Sequence, residues 1–365
     1  MSYKAILDRL RAQHNFRQIP EGTAGVKLVD LSGNDYLGIA NDVELRREFM
    51  EQYGVTLSLS ASASRLLAAD QTEFARFESL LKDYYCGRAL IFNSGYHVNS
   101  GAVAALAREK TLIVADKLVH ASIIDGIMLA KAPFERFRHN DVAHLERILE
   151  KKAAVYENVL IIVESVYSMD GDTAPLAEIA RIKRRFPGAM LYVDEAHAVG
   201  VCGRDGLGLA VDIDGVDFIV GTLGKAIGSF GAFIVCRSHE MYDYLVNTAR
   251  SLIFSTALPP LNVAWSRFIM ERIPAMSERR DRLAMSARAL ASVLGDAEPS
   301  HIRPLITGSS ESALALSARL LEKGFKVLPI RTPTVPPGTE RLRFSLSSDI
   351  SPADISRLGD VLCSL

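Results

Sequence analysis

Gly221-Thr222-Leu223-Gly224-Lys225-Ala226 follows a short apolar run over 218–220, and Asp194-Glu195-Ala196-His197 follows a second apolar run over 189–193. Short apolar runs that end in polar residues and glycine are typical of buried strands. In an open α/β sheet, residues just beyond the carboxyl ends of the strands face the ligand-binding crevice. The interval from Asp194 to Lys225 fits one strand–helix–strand step, so the sequence predicts that the two strand ends are neighbours.

A carboxylate, an imidazole and an amine at neighbouring strand ends meet the needs of pyridoxal phosphate. This cofactor takes a lysine for its Schiff base and an aspartate beside its pyridinium nitrogen. A P-loop is the competing interpretation, but it requires glycine at position 219 and Ser or Thr at position 226, where the chain has Ile219 and Ala226. Alone, Asp194 is equally compatible with a helix N-cap, and His197 with an ordinary loop histidine.

Length and composition are those of an ordinary globular enzyme. The chain has 365 residues, of which 48% are hydrophobic and 23% charged, with a formal net charge of −1. This charge gives no reason to expect nucleic acid or an anionic membrane as a partner. The four cysteines are far apart and form no CxxC pair, so we expect neither a metal site nor disulfides. Without a membrane-length apolar run or a signal-peptide core, we expect a cytoplasmic protein.

The pattern of apolar runs divides the chain into three parts. Residues 1–45 form an arm that begins with an amphipathic helix and continues through a polar turn at 22–25 into a strand over 26–31. Residues 46–255 alternate apolar strands with helical patterns, which predicts a large α/β domain with a mostly parallel sheet and helices on both faces. Residues 256–365 combine a connecting helix, interrupted at Pro274, with a smaller C-terminal α+β domain.

Three further polar segments follow predicted strands. Residues 93–99 lead into a helix predicted over 100–107, whose start offers backbone N–H groups to a phosphate; an ordinary capped helix start, with Tyr96 in the core, is the alternative. His120 either stacks on an aromatic cofactor or caps the following helix. In residues 164–172, Ser168 is a candidate contact to a cofactor oxygen. The alternative there, a calcium loop, lacks the EF-hand spacing.

Together these motifs make the chain similar to the α-oxoamine synthases, a family of fold-type I pyridoxal-phosphate transferases. The family joins an amino acid to an acyl thioester with loss of CO2. Residues 168–179 and 330–343 are similar to the branch of the family that acts in biotin synthesis. The matching motifs run in order over nearly the whole chain and are Asn34-Asp35-Tyr36-Leu37-Gly38, Ser94-Gly95-Tyr96, His120-Ala121-Ser122, Ser168-Met169-Asp170-Gly171, Asp194-Glu195-Ala196-His197, Thr222-Leu223-Gly224-Lys225 and Leu342-Arg343.

The resemblance implies a set of residue roles. Lys225 would hold the cofactor and remove the substrate's α-proton, Asp194 would lie beside the pyridine nitrogen, and His120 would stack on the ring. The implied remaining cofactor contacts are His197, Ser168, Thr222, Gly95 and Tyr96, with Ser255 and Thr256 supplied by the partner subunit of a homodimer. The implied substrate contacts are Arg343 for the amino-acid carboxylate, Ser347 and Asn34, and Arg17 for the acyl carboxylate. The acyl thioester would be carried by CoA or an acyl carrier protein.

One departure and two competing functions accompany the resemblance. Residues 59–65 carry Ser and Ala where family members have glycines, and Phe74 stands where they have histidine. An aminotransferase would use Lys225 and Asp194 equally well, and a non-catalytic relative would keep only the fold. Alternation along the last strand puts Arg341 and Arg343 on one face, so residue chemistry alone does not separate them; the family motif selects Arg343.

Overall fold

The computed structural model describes residues 2–19, 28–108, 110–296 and 298–364. The predicted turn at 22–25 and the start of the strand predicted over 26–31 lie outside the described residues. In chain order the helices and strands are α1 (Tyr3–Ala12), β1 (Val29–Asp30), α2 (Val43–Tyr53), α3 (Thr72–Tyr85), β2 (Arg88–Phe92), α4 (Gly95–Leu106), β3 (Thr111–Asp116), α5 (Ala121–Ala130), β4 (Phe134–Phe137), α6 (Val142–Lys152), β5 (Asn158–Glu164), α7 (Leu176–Lys183), β6 (Ala189–Asp194), β7 (Phe218–Thr222), β8 (Ala232–Cys236), α8 (His239–Thr248), α9 (Arg250–Ile253), α10 (Pro260–Arg272), α11 (Ser277–Leu294), β9 (Ile302–Ile306), α12 (Ser310–Glu322), β10 (Phe325–Lys326), β11 (Leu328–Ile330), β12 (Arg341–Ser345) and α13 (Pro352–Ser364).

The larger of two compact units comprises Leu37–Tyr167 and Asp172–Ser277. It contains a seven-stranded sheet in the order β2-β8-β7-β6-β5-β3-β4. Strand β8 runs antiparallel to both of its neighbours, and the other pairs are parallel. Strands β3, β5, β6 and β7 are buried along almost their whole length, which explains why each appears in the sequence as a continuous apolar run. The predicted mostly parallel sheet is confirmed.

The strand register places the polar strand ends at one edge of this sheet. Asp194 pairs with Glu164 on β5 and with Val220 on β7, so the strands that lead to Asp194 and Lys225 are neighbours as predicted. The predicted strand–helix–strand step is wrong, because the described connection over 195–217 contains only a 3₁₀ turn at Arg204–Gly206. Glycines with positive φ, such as Gly200 and Gly208, bend this connection where a helix was expected.

Two further details of the larger unit differ from the sequence prediction. Helix α4 begins at Gly95, earlier than the predicted residue 100, because the Ser94 hydroxyl accepts the His97 N–H at 3.3 Å and caps the helix there. Strand β4 was not predicted. It lies at the sheet edge, where Glu135 and Arg136 interrupt any apolar run, and it pairs only with β3.

The smaller unit comprises Met1–Tyr36, Ser168–Gly171 and Glu278–Leu365. Its described part contains a three-stranded antiparallel sheet, β11-β12-β9, and a parallel pair of β1 with β10. A mixed α and β unit at the C-terminal end was expected, and the fold class is confirmed. The division into residues 1–45, 46–255 and 256–365 stays a prediction. None of the helices in the described residues is long and apolar enough to span a bilayer.

Candidate active site

Asp194 is held at the end of β6 by a buried network of hydrogen bonds. Only 4% of its surface is exposed. The Asn99 side-chain amide donates to Asp194 Oδ2 at 2.7 Å, and the backbone N–H of Ala196 donates to Oδ1 at 2.9 Å. Asn99 also donates to Ser122 at 2.9 Å and accepts from the Tyr192 hydroxyl at 2.8 Å. The carboxylate is therefore fixed in orientation, as a group that faces a cofactor nitrogen must be.

Glu164 is a second buried carboxyl beside Asp194. Burial raises the pKa of Glu164 well above its ordinary value, and the nearby Asp194 charge acts in the same direction against a smaller opposite effect of Lys225. Burial and the neighbouring carboxylate thus both favour the neutral form of the Glu164 carboxyl group. The sequence analysis did not single out Glu164, although its place at the end of an apolar strand was a usable signal.

Lys225 lies just beyond β7, with its Nζ 2.7 Å from His197 Nε2. The lysine and the histidine, both predicted from sequence, are thus brought into contact. His120 belongs to the same cluster. Desolvation lowers the pKa of its ring, the Asp194 charge raises it, and the Lys225 charge lowers it. His120 Nδ1 also accepts the Ser122 N–H at 3.2 Å and caps α5. Of the two alternatives for His120, the structure shows the helix cap, and stacking on a cofactor stays a prediction.

The first turn of α4 provides hydrogen-bond donors suited to a phosphate. Within the described residues, no hydrogen bond engages the backbone N–H groups of Gly95 or Tyr96. A Cβ atom built on Gly95 would lie 3.8 Å from Thr222 Oγ1, so the predicted Gly95 and Thr222 are adjacent. Tyr96 is not a core residue: it is half exposed, and its hydroxyl donates to Asp125.

The segment with Ser255 and Thr256 is attached to the strand that leads into this helix. The Asn93 side chain donates to Ser255 Oγ at 3.2 Å and to the Thr256 carbonyl at 2.7 Å. Thr256 also forms an antiparallel bridge with Ser64, while its own side chain is exposed. The role of Ser255 and Thr256 as contacts made across a subunit interface stays a prediction.

The donor set of the larger unit fits pyridoxal phosphate. A buried carboxylate, a lysine amine, an imidazole and free N–H groups at a helix N-terminus are the groups that a pyridine nitrogen, an aldehyde, an aromatic ring and a phosphate require. They are supplied by Asp194, Lys225, His120 and the start of α4. Asn99, which orients Asp194, belongs to the polar segment 93–99 that the sequence analysis singled out, but it was given no role there.

In the smaller unit, Arg343 and Arg341 lie on β12 and are both buried, but only Arg341 is paired with a carboxylate. Arg341 Nη1 lies 2.5 Å from Asp170 Oδ1. Arg343 donates to the Ser168 carbonyl at 2.6 Å and to Asn34 Oδ1 at 3.1 Å, and it forms no ion pair among the described residues. A buried guanidinium with no counter-ion is suited to an anionic ligand, which separates Arg343 from Arg341.

The same unit-by-unit contacts give both aspartates of the alternative calcium loop, residues 164–172, partners within the protein. Asp170 pairs with Arg341, and Asp172 accepts a hydrogen bond from His139 Nε2 at 2.7 Å. Across the described residues no group of three or more His, Cys, Asp or Glu side chains is placed to bind a metal ion. Ser168 therefore lies in a loop whose carboxylates have protein cations as partners.

Arg17 lines a cavity of about 270 Å3 in the smaller unit. Its guanidinium donates to Thr334 Oγ1 at 3.0 Å, and Arg331 lies in the same cavity wall. Desolvation lowers the pKa of Arg331, and the positive charge of Arg17 lowers it further. The sequence analysis proposed Arg17 but overlooked Arg331. Ser347, also predicted, follows β12 and accepts a hydrogen bond from the Asp349 backbone at 3.4 Å.

Comparison with known proteins places this geometry in a family. The family model described as "Aminotransferase class I and II" matches residues 26–362. A protein of Pasteurella multocida named "Putative 8-amino-7-oxononanoate synthase" is 47% identical over 97% of this chain and 96% of its own length. A protein of the same name from Neisseria meningitidis is 43% identical over 99% of both chains.

Solved structures give the same result. A serine palmitoyltransferase of S. paucimobilis, bound to pyridoxal phosphate and myriocin, is 28% identical and superposes with a TM-score of 0.89 over 100% of this chain and 98% of its own. An 8-amino-7-oxononanoate synthase of Francisella tularensis is 27% identical, with a TM-score of 0.78 over 92% of this chain and 97% of its own.

We predict that Lys225 is the lysine that binds the cofactor covalently. Borohydride reduction of the holoenzyme followed by peptide mass spectrometry should find the cofactor on Lys225. Lys225→Ala should abolish both labelling and turnover, because it removes the amine that follows β7 and contacts His197. The control is Lys110→Ala, which removes a surface lysine paired with Glu157 and should change neither. Cofactor found on another lysine would contradict the assignment.

Proposed function

The chain belongs to the α-oxoamine synthase family of pyridoxal-phosphate-dependent enzymes, and we propose that it condenses L-alanine with a pimeloyl thioester. The products would be 8-amino-7-oxononanoate, CO2 and the free thiol of CoA or of an acyl carrier protein, the step that serves biotin biosynthesis. The names of the relatives support this reaction. The observation that carries it is the pair of cationic sites in the smaller unit, because alanine and a pimeloyl chain each carry one free carboxylate.

Arg343 is proposed to bind the carboxylate of the amino acid. Its guanidinium is 3% exposed, and two of its donors are directed to neutral oxygens of Ser168 and Asn34. A planar guanidinium pairs with a carboxylate through two parallel hydrogen bonds, which fixes the orientation of the amino acid. Asn34 and the Ser168 carbonyl would then hold the guanidinium while it binds substrate, and Ser347 would line the same site.

The cavity with Arg17 and Arg331 is proposed to take the far carboxylate of the acyl chain. Two guanidinium groups and a threonine hydroxyl in the wall of one cavity suit a single carboxylate anion. An acetyl group has no second anion and would leave both charges unpaired. This difference favours a pimeloyl donor over acetyl-CoA with glycine, the substrates of a 2-amino-3-oxobutyrate ligase, and over the transfer of an amino group alone.

The residues of the larger unit account for the chemistry at the amino acid. Bound pyridoxal phosphate supplies an electron sink for charge that develops at the substrate α-carbon. Asp194 keeps a negative charge beside the ring nitrogen, and Gly95, Tyr96 and Thr222 hold the phosphate. Lys225 takes the α-proton as general base, with His197 in contact with its amine. The lowered pKa of His120 keeps its ring neutral at the cofactor face.

We also propose that the protein acts as a cytoplasmic homodimer. Several large apolar side chains are exposed on the segments around the Ser64–Thr256 bridge: Leu59 is 77% exposed, Leu67 78% and Phe254 70%. Large apolar side chains exposed on segments joined by one bridge are typical of a protein interface. Burying it against a second copy would bring the exposed Thr256 side chain to the neighbouring subunit.

The substrate assignment predicts a defined pattern in a matrix of alanine, glycine and serine against acetyl, pimeloyl and palmitoyl thioesters. Release of free thiol should be fastest with alanine and pimeloyl thioester, and glycine should be disfavoured by about 1–3 kcal/mol, the value of one methyl group in a pocket. Arg17→Ala should lower kcat/KM for the pimeloyl donor and leave any acetyl transfer unchanged. Faster reaction of glycine with acetyl-CoA would overturn the biotin assignment.

Arg343→Lys should raise the KM for alanine by more than Arg341→Lys does. Losing a bidentate charged hydrogen bond costs about 1.5–3 kcal/mol, on the order of 10–100-fold in KM. Arg341→Lys is the matched control, because a lysine there still has Asp170 as its counter-ion. Steady-state kinetics at saturating thioester measure the difference. Equal effects at the two positions would refute the assignment of Arg343.

The dimer proposal predicts that Leu67→Asp gives a monomer with little turnover, since a charge would be buried in the interface. Sedimentation velocity measures the change, and Val155→Asp, at another exposed apolar residue, is the matched control. Mixing inactive Lys225→Ala and Thr256→Ala subunits should restore part of the activity, because one hybrid site has all its residues. A fully active wild-type monomer would disprove both statements.

A further inference from the structure

His139 lies between two carboxylates that the proposed mechanism does not use. Its Nδ1 is 3.0 Å from Asp116 Oδ1, and its Nε2 is 2.7 Å from Asp172 Oδ2. Asp116 is fully buried at the end of β3. An ionised carboxylate only accepts hydrogen bonds, so both ring nitrogens must donate, and His139 is an imidazolium. This cation therefore joins Asp116 and Asp172 in one charged cluster.

The cluster fixes the turn that leads to His120. Asp116 Oδ1 also accepts the backbone N–H of Leu118 at 2.8 Å, two residues before His120. Asp116 Oδ2 accepts the N–H of Asn140 at 2.9 Å, and the Asn140 side chain donates to Asp172 Oδ2 at 2.8 Å. Every hydrogen bond in this set ends on one of the two carboxylates, and His139 is the member of the set that brings a positive charge to both of them.

The cluster also fixes both residues that flank the Ser168–Gly171 loop. The edge of the His139 ring meets the Tyr167 ring with centroids 4.4 Å apart, while its Nε2 binds Asp172. Tyr167 and Asp172 are themselves joined by a hydrogen bond from the Tyr167 N–H to the Asp172 carbonyl at 3.0 Å. His139 thus contacts both ends of the base of the loop that carries Ser168.

We propose that His139 is a positioning residue whose imidazolium fixes the base of the Ser168–Gly171 loop together with the turn before His120, and thereby sets the affinity for the amino acid. The inference rests on the proposed function, in which the Ser168 carbonyl orients Arg343. Protonation is stable at physiological pH. Although desolvation opposes it, the hydrogen bonds and charges of Asp116 and Asp172 raise the pKa of His139 to about 10. The cation is lost only as the pH rises through that value.

The test compares holoenzymes of wild type, His139→Gln and His139→Arg. Glutamine supplies no charge, whereas arginine has the donors to bridge both carboxylates and, with a quarter of the His139 side chain exposed, room to extend. Hydrogen exchange of the 166–173 peptide should accelerate in His139→Gln, and the KM for the amino acid should rise about tenfold or more with a smaller change in kcat. His139→Arg should restore both values in part. His239→Gln, at a surface His–Asp pair, is the matched control.

Three outcomes separate the possibilities. A His139→Gln enzyme with a lower Tm but normal KM and normal loop exchange would show a purely structural role and overturn the inference. Unchanged exchange, KM and Tm would also overturn it. If the wild-type enzyme binds glycine or serine instead of alanine, the proposed substrate is wrong. The variants are then compared with that amino acid. A failure of the substrate assignment is thus distinguishable from a failure of the His139 inference.

Discussion

A single buried carboxylate, Asp194, constrains the arrangement of the larger unit. An ionised group that is 4% exposed requires partners for both oxygens, and Asn99 and Ala196 provide them. Asn99 is held in turn by the Tyr192 hydroxyl from inside the sheet. Because α4 carries Asn99 and also begins at Gly95, the helix that orients the carboxylate is the helix whose N-terminus offers donors to a phosphate.

Within each unit taken by itself, neighbouring charged groups differ in their surroundings and partners. Burial and the adjacent charge both raise the pKa of Glu164, the register partner of Asp194, and so oppose its ionisation. In the smaller unit, Arg341 is neutralised by Asp170, while Arg343 has only neutral acceptors in the part of the chain that the structure describes. The two arginines share a strand face but differ in their partners, and this difference supports the role proposed for Arg343.

The sequence was informative where a residue ends a buried strand. Asp194, Lys225 and Thr222 follow continuous apolar runs, and parallel register places such residues together. It was uninformative for groups whose role depends on a distant partner. Asn99 gains its role only through Asp194, and His139 only through Asp116 and Asp172. Glu164, in contrast, ends a buried strand and could have been found from the sequence. The edge strand β4 was missed because Glu135 and Arg136 interrupt its apolar pattern. The connection from β6 to β7 was wrongly predicted as a helix because the conformation of its glycines could not be read from the sequence.

Residues 59–65, which depart from the glycine-rich family pattern, end in an arginine that is bound within the protein. Arg65 at the end of this segment is committed to the protein: its guanidinium binds Glu78 at 2.8 Å and lies 4.4 Å from the centroid of Phe74, the residue that stands in place of a histidine. Desolvation raises the pKa of Glu78 despite this contact, so the pair is deeply enclosed. Arg65 is therefore a structural cation. Among the described arginines considered for an acyl carboxylate, those lining an open cavity are Arg17 and Arg331.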